Sequence, residues 1–473
     1  MKMPYLLIFS FLCLWPSNKE STTYSFSKND NARVDALLTD FLAKAKLPGL
    51  SIAVNQSGEV IYAKGFGYAD LQKKTKMTPT TQIRTASVAK VITATAIGKL
   101  VSDGKLDLDA PLEKYLPYIE PPYASLTARQ LAGHTAGVAH RPSSNRVKKK
   151  HYAEVRETMA FLKDMPLSFE ADTEYAYSTL GYNLLALLIE EISGKKYVDY
   201  MREDVFAPLG MTQTFPDQKN DWSDKDAKMY FFKKGKLQED KKPVDGSYKL
   251  AGAGFRSTSV DLAKMMNAYS NDFIAEEVVQ LMFESHHLKS GEKTNVGIGW
   301  RLSEDMYKSA SIEHAGSWQG ARTVIVHYPQ YQLTVSIMIN AKCTVFIEET
   351  AQIIARLFLQ KGNESSAIKE RNDVLTVVNN KSDGTTETYK GKIQLSETGL
   401  GRLEIETDIG WLQNNSIYSL SPDNDFVLST KFGLLYLHLQ QQPVLEGKLY
   451  VYQRPSDAYH MSQKPMLFFS ARP

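Results

Sequence analysis

Ser87 and Lys90 stand three residues apart in the stretch Arg84–Leu106, RTASVAKVITATAIGKLVSDGKL. Val88, Val91, Ile92, Thr95, Ala96 and Leu100 recur at helical spacing and Gly104 follows as a stop, so the pattern predicts a buried helix with the pair at its head. Residues three apart on a helix have Cβ atoms roughly 5 to 6 Å apart, which puts the amine within reach of the hydroxyl. A serine hydroxyl becomes a useful nucleophile when a neighbouring base takes its proton. A lysine can be that base only as a neutral amine, a form that burial and nearby positive charge favour. The chemistry suggested is acyl transfer through a serine ester.

The same Ser-x-x-Lys spacing recurs at Ser25, Ser102, Ser193, Ser290 and Ser366. Those five copies lie beside glycines or in polar stretches, and only Ser87 opens a continuous apolar helix. Two further stretches could complete a site. In Thr173–Gly194, TEYAYSTLGYNLLALLIEEISG, Tyr177 sits just ahead of a strongly apolar helix, where its phenol could ionise beside a lysine and carry a proton. In Ser311–Pro329, SIEHAGSWQGARTVIVHYP, a strand carrying His314 meets Gly316 and turns at Gly320. Glycine admits a close backbone approach, and the Ser317 amide could donate to an oxyanion.

The elements that must position these residues follow from periodicity. Ala32–Leu47 reads as a helix, and Leu50–Asn55 with Val60–Lys64 as a hairpin around Ser57-Gly58. Short helices are expected at Leu126–Leu131, Leu262–Tyr269 and Glu276–Phe283, and a long one at Gly181–Ile192. From Gly297 the period returns to two, with strands at Gly299–Leu302, Ser311–Ala315, Thr323–His327 and Leu333–Ile339. Ile347–Leu359 closes the region as an amphipathic helix. The order describes an α+β fold, an antiparallel sheet packed by terminal helices with a helical insertion.

Beyond this, Lys361–Asn372 reads as a polar linker, giving a main domain over 29–360 and an accessory domain over 373–473. Strands at Tyr389–Leu395, Leu403–Glu406, Phe426–Thr430, Leu434–Leu439 and Lys448–Gln453, with turn signals at Asp383-Gly384 and Asn414-Asn415, point to a small β-barrel or sandwich. The linker's composition predicts that this unit is separable.

The chain has 473 residues, 43% of them hydrophobic and 23% charged, with a net charge of +3. That balance suits a globular protein and argues against a nucleic-acid partner; the one basic cluster, Arg141–Lys150, reads as a solvated loop. Residues 1–20 place Lys2 ahead of an apolar run over Tyr5–Trp15, too short for a membrane span and suited to an export leader. A periplasmic or secreted location follows, and any membrane anchor would be at the N-terminus. The cleavage point and any lipid on Cys13 are left open. Removal of the leader would leave Cys343 as the sole cysteine. No His-Glu-x-x-His, paired Cys-x-x-Cys, Walker or dinucleotide loop is present, so neither metal nor cofactor is implied.

Seven stretches in order, LPGLSIAV, GFGYADL, the Ser87 helix, LDAPLEKYLP, LAGHTAGV, AYSTLGY and AGAGFRSTSVDLAK, resemble the serine β-lactamase and penicillin-binding-protein superfamily over residues 32 to 359. The likeness is to the class C and D-aminopeptidase/esterase branch and its mitochondrial serine protease-like members. It implies Ser87 as nucleophile, Lys90 as its base and Tyr177 as proton shuttle. It also implies that His314 and Gly316 fill the third motif, with the Ser87 and Ser317 amides as oxyanion hole. Thr179 stands where the family has the Asn of Tyr-x-Asn, and His314-Ala315-Gly316 where β-lactamases have Lys-Thr-Gly. The implied function is a serine hydrolase acting on a peptide, a D-amino-acid amide or a small ester. The alternatives are a genuine β-lactamase or D,D-carboxypeptidase, or a low-turnover penicillin-binding sensor or scaffold.

Overall fold

The computed structural model describes residues 28–217, 222–223, 226–241, 244–359, 371–380, 385–396, 400–407, 413–421, 425–441, 445–453 and 462–471. The leader over 1–20, Cys13 and nearly all of the expected linker lie outside the described residues.

The chain opens with α1 (Lys28–Lys44), whose Val34, Leu37, Leu38 and Phe41 are fully buried. It continues into the hairpin β1 (Gly49–Gln56) and β2 (Glu59–Asp70), turning at Ser57-Gly58, both with positive φ. Strands β3 (Thr75–Lys76) and β4 (Ile83–Arg84) precede a single 3-10 turn over Ala86–Val88, and α2 (Ala89–Ser102) follows. The helical insertion contains α3 (Ala128–Ala132), closed by a capping box between Thr127 and Gln130, and α4 (Gly181–Ser193), ended by left-handed Gly194. After β5 (Phe255–Ser257) and α5 (Ser259–Met265) come β6 (Arg301–Glu304), β7 (Ala310–Trp318), β8 (Ala321–Tyr328), β9 (Leu333–Ile339) and α6 (Ile347–Leu359).

Seven strands form one antiparallel sheet in the order β3-β2-β1-β9-β8-β7-β6. The first hairpin therefore pairs with the last strand of the domain, Leu50 opposite Ile339 and Gln56 opposite Leu333. Alternation divides the sheet into two faces. Leu50, Ile52, Val54, Val335 and Ile337 join α1 and α6 in one core. On the other face Ser51 Oγ lies 2.6 Å from Ser259 Oγ at the start of α5, and Met338 joins the core of the helical lobe. Helix α2 is buried nearly all round rather than along one stripe, which suits the central helix of that lobe.

The C-terminal strands Arg371–Asn380, Thr386–Leu395, Leu400–Ile405, Asn414–Ser421, Asp425–Thr430, Gly433–Gln441, Leu445–Gln453 and Ser462–Ala471 (β10 to β17) close an up-and-down barrel. Asn414-Asn415, read above as a turn, instead opens β13, with Asn415 opposite Leu403. The barrel packs directly on the main domain. Val427, Leu434 and Tyr436 share the core of α1 and α6, while the alternating Phe426, Leu428, Leu435 and Leu437 are buried on the barrel's other face. Lys44 Nζ donates to Ser429 O at 2.8 Å, and Leu434 N to Thr350 Oγ1 at 3.1 Å. Gly433, at φ +132°, permits this approach, since a Cβ there would lie 2.7 Å from Thr350 Oγ1.

The barrel thus docks on the face of the sheet opposite the helical lobe, and its composition-rich connection says nothing of that docking. Burial of one such aliphatic side chain is worth about 1.5 to 3 kcal/mol. Truncation after Leu359 is expected to lower the Tm of the remaining domain by at least about 5 °C in differential scanning fluorimetry. An unchanged Tm would show that the shared core contributes nothing to stability.

Candidate active site

The site forms where the turn preceding α2 meets the edge of β7. Strand β4 leads into it, pairing Arg84 with Arg256 of β5, and Thr85 is tied through both its N–H and its hydroxyl to Phe255 O, each at 2.9 Å. From the other side the Thr323 hydroxyl of β8 donates to Arg84 O at 3.0 Å. Ala86 then takes φ +48°, in the left-handed region that alanine rarely occupies. The next residue is Ser87, half-buried at the turn. Strain immediately before a nucleophile persists only where the surroundings over-determine it, and here the Thr85 bonds and β7 do so.

Gly316 is what lets β7 come this close. A Cβ on it would stand 2.5 Å from Thr85 O, 2.8 Å from Ser87 N and 2.9 Å from Ala86 Cβ. Pairing with β6 ends at Glu313 opposite Arg301, so His314–Trp318 is bonded to β8 alone and turns its other edge toward Ser87.

Lys90 is fully buried on the first turn of α2. Its Nζ donates to Gly252 O at 2.8 Å and to Thr179 Oγ1 at 3.1 Å. The carbonyl is reachable because Gly252 lies hard against Thr179, where a Cβ would meet Thr179 O at 2.5 Å. Burial, followed by the charge of Lys249, holds this amine well below the usual lysine range. A neutral amine has two N–H bonds and one lone pair; the two acceptors use the first and leave the second uncommitted. The side-chain partner of the Ser87 hydroxyl is the Tyr177 phenol, not Lys90. Catalytic hydrogen bonds commonly tighten only when substrate is engaged.

Tyr177 lies in the loop before α4, its ring centroid 4.6 Å from Lys90 Nζ. The Ser87 hydroxyl adjoins its phenol and pulls the phenol pKa down, but burial pushes it up by more. The phenol therefore stays protonated, which corrects the expectation that it ionises readily. That expectation assumed a lysine ammonium, and Lys90 is held neutral. Three imidazoles surround the ring, with centroids at 4.5 Å for His134, 5.4 Å for His140 and 6.1 Å for His314. Burial first, then nearby cations, pushes all three below the usual histidine range, His140 to about 4. His134 Nδ1 accepts from Ser178 N at 3.2 Å, and His140 Nδ1 lies 3.1 Å from Thr179 Oγ1. His314 Nδ1 donates to Ala315 O at 3.0 Å, which makes Nε2 an acceptor, buried and without a partner among the described residues.

Ser87, Lys90, Tyr177, Thr179, His314 and Gly316 thus converge, with Ser317 exposed on the facing edge. Sequence reasoning missed His134 and His140 around the phenol and the Gly252 carbonyl under Lys90. His134 and Gly252 belong to the LAGHTAGV and AGAGF stretches, which were singled out without a role; nothing in the sequence marks His140. Among the described residues no cluster of His, Cys, Asp and Glu could hold a metal ion. No helix among them is long and apolar enough to cross a membrane.

A sheet backed by helices, with a serine on the turn leading into a core helix and a buried lysine on that helix's first turn, defines the serine β-lactamase and penicillin-binding fold. The Beta-lactamase family model matches residues 34–357, and the chain belongs to that family. It is 30% identical over 290 residues to the human "Serine beta-lactamase-like protein LACTB, mitochondrial", covering 47% of this chain and 53% of that protein. The chain spans about half the length of this relative and of its mouse and bovine counterparts. Penicillin-binding protein 4* of Bacillus subtilis (strain 168) is 28% identical over 343 residues, covering 66% of this chain and 72% of that one. Among solved structures, D-amino acid amidase from Ochrobactrum anthropi SV3 aligns with TM-score 0.56 at 25% identity, over 66% of this chain and 92% of its own. The octameric penicillin-binding protein homologue from Pyrococcus abyssi shares the fold over 94% of this chain and 100% of its own, with TM-score 0.59 and 22% identity.

Gly316→Ala is expected to push β7 off the Ser87 turn. A misplacement of about 1 Å can cost about 10²-fold in rate. Fluorophosphonate labelling of Ser87, followed by intact mass, should slow by about that factor while the far-UV spectrum is retained. Labelling at the unmutated rate would show that the strand's approach does not position the serine.

Proposed function

We propose that the protein is a serine acyl hydrolase that forms an ester on Ser87 with a peptide, a D-amino-acid amide or a small ester. The observation that carries this reading is the buried Lys90 amine, held neutral with both N–H bonds satisfied beside the serine. Ser87 Oγ attacks the substrate carbonyl and its proton passes to Lys90. The oxyanion lies against the backbone N–H groups of Ser87 and Ser317. As the bond to the leaving group breaks, Tyr177 gives it a proton and regains one from Lys90. Water then cleaves the ester along the same path. The relatives' names, among them a penicillin-binding protein and a D-amino acid amidase, support the reaction class and leave the acyl group open. Export through the N-terminal leader is part of the same proposal.

Ser87→Ala is expected to abolish turnover and fluorophosphonate labelling together; undiminished labelling would overturn the assignment. General-base work is worth about 10² to 10⁴ in rate, so Lys90→Ala should lose that much of kcat/KM. Near-normal acylation in that variant would give the base role to another residue.

Two departures bear on substrate. β-Lactamases hold the lactam carboxylate with Lys-Thr-Gly and the acylamide with the Asn of Tyr-x-Asn. Here His314 is neutral, Ala315 has no hydroxyl, and the Thr179 hydroxyl already accepts from Lys90. Losing a hydrogen bond to a charged group costs roughly 1.5 to 3 kcal/mol, about one to two powers of ten. Short-chain nitrophenyl esters are therefore expected to have a kcat/KM about 10² to 10⁴ above nitrocefin, with Ser87→Ala as blank. Nitrocefin matching the esters would return the chain to the β-lactamases proper.

A further inference from the structure

The exposed edge of β7 has two unlike ends. His314 lies at one, among neutral imidazoles. Trp318 lies four residues on, roughly 13 Å away at strand rise, and its surroundings are cationic. Lys249 Nζ stands 3.6 Å from the Trp318 ring centroid and Arg84 Cζ 4.4 Å from it. The indole is wedged against Gly246, where a Cβ would approach Cη2 to 3.2 Å.

Arg84 is fully committed. Its Nε is 2.7 Å from Asp217 Oδ2, both side chains almost wholly buried, and it donates to Val244 O at 3.0 Å. The Asp217 carboxylate is thereby matched. Lys249 is not. It is partly buried, and among the described residues it has no hydrogen bond and no carboxylate within ion-pair distance. An aromatic face offsets part of an ammonium's desolvation but satisfies none of its three N–H donors in line. Lys249 also lies three residues ahead of Gly252, whose carbonyl holds Lys90, and its charge is felt at Lys90. An unmatched cation therefore stands at the Trp318 end of this strand edge, away from His314.

The direction of a substrate along that strand edge follows from the proposed acyl-enzyme chemistry, on which this inference rests. Tyr177 gives its proton to the leaving group, and its ring packs beside His314. The leaving group thus departs at the His314 end and the acyl chain extends toward Trp318. We propose that Lys249, seated on Trp318, binds an anionic group at the far end of the acyl chain, so that the site selects acyl donors ending in a carboxylate. This subsite lies at the opposite end of the strand from the position of the β-lactamase carboxylate clamp.

Burial foremost, then the charges of Arg84, Arg141 and Lys148, lowers the Lys249 pKa to about 7, with Asp217 pulling the other way. The amine is cationic below that pH and neutral above it. Anion selectivity should accordingly be strongest near pH 6 and weaken as pH rises past 7.

The test compares kcat/KM for mono-p-nitrophenyl adipate and p-nitrophenyl hexanoate, which share a chain length and differ in the terminal carboxylate. The full chain is assayed as wild type, Lys249→Met, Lys249→Arg and Ser87→Ala. Wild type should favour the adipate, Lys249→Met should lower the adipate-to-hexanoate ratio about 10- to 100-fold, and Lys249→Arg should restore most of it. The ratio cancels any change at Lys90 that Lys249→Met causes, since that change acts on both esters. A wild-type preference for hexanoate, or a ratio unmoved by Lys249→Met, overturns the Lys249 assignment and leaves the hydrolase reading standing. Hydrolysis undiminished in Ser87→Ala overturns the hydrolase reading instead. Should neither ester turn over, calorimetry of adipic acid monoamide with Ser87→Ala decides. Binding weakened about tenfold or more by added Lys249→Met supports the subsite, and binding no tighter than that of hexanamide, or unchanged by the added substitution, overturns it.

Discussion

The site depends on the burial of one amine. Taking a lysine to zero exposure is costly for its charged form, and among the described residues no carboxylate pairs with Lys90 to offset that cost. Its partners are a backbone carbonyl and a hydroxyl, which satisfy a neutral amine and cannot neutralise an ammonium. A carboxylate in the place of Thr179 would keep the lysine protonated and useless as a base. The helical lobe can be understood from this requirement. It brings the turn at Gly252 and the loop at Thr179 onto the first turn of α2 and excludes water around them.

The neighbours continue the same electrostatic logic. Tyr177 and three imidazoles are all held neutral by burial, while cations act on them from two sides. Arg301 lowers the pKa of His134 and His314, and Lys249 that of His140 and Lys90. A pocket of neutral donors and acceptors in a positive field favours whatever becomes negative during reaction. In acyl transfer that is the carbonyl oxygen, and fixed fields of this kind need no reorganisation when the charge appears. Arg301 can sit there because Glu313 and Glu348 pair with it behind the strand, at 3.1 and 3.5 Å.

Much of this was legible in the sequence, for identifiable reasons. Ser87 and Lys90 are marked by a fixed spacing on a continuous apolar helix, and the β1–β2 hairpin by its Ser-Gly turn. The extent of α6 is legible because its apolar stripe is broad and the polar pair Gln360-Lys361 follows it. Strands β10, β13 and β17 escaped notice. Arg371–Asn380 begins with three polar residues, Asn414–Ser421 with two asparagines, and Ser462–Ala471 has a proline within it. Closure of a barrel satisfies such strands through partners distant in sequence, which local pattern does not reveal. The Gly252 carbonyl was illegible for another reason, since a backbone acceptor leaves no side-chain signature. The ionisation of Tyr177 was misjudged because it turns on the protonation of Lys90, a property of burial in three dimensions.

The barrel shows that a polar connection does not preclude packing between the units it joins. A polar connection implies only that the connecting residues are not buried, and says nothing of the faces it joins. Asp425–Thr430 is buried along its whole length, an unusual state for a strand of a small barrel with one face toward solvent. One side fills the barrel and the other completes the core over α1 and α6. Those two helices brace the sheet from behind, and β7 is held against the Ser87 turn from that sheet. The barrel, although none of its described residues borders the site, therefore packs on the helices behind the sheet from which β7 approaches Ser87 at Gly316.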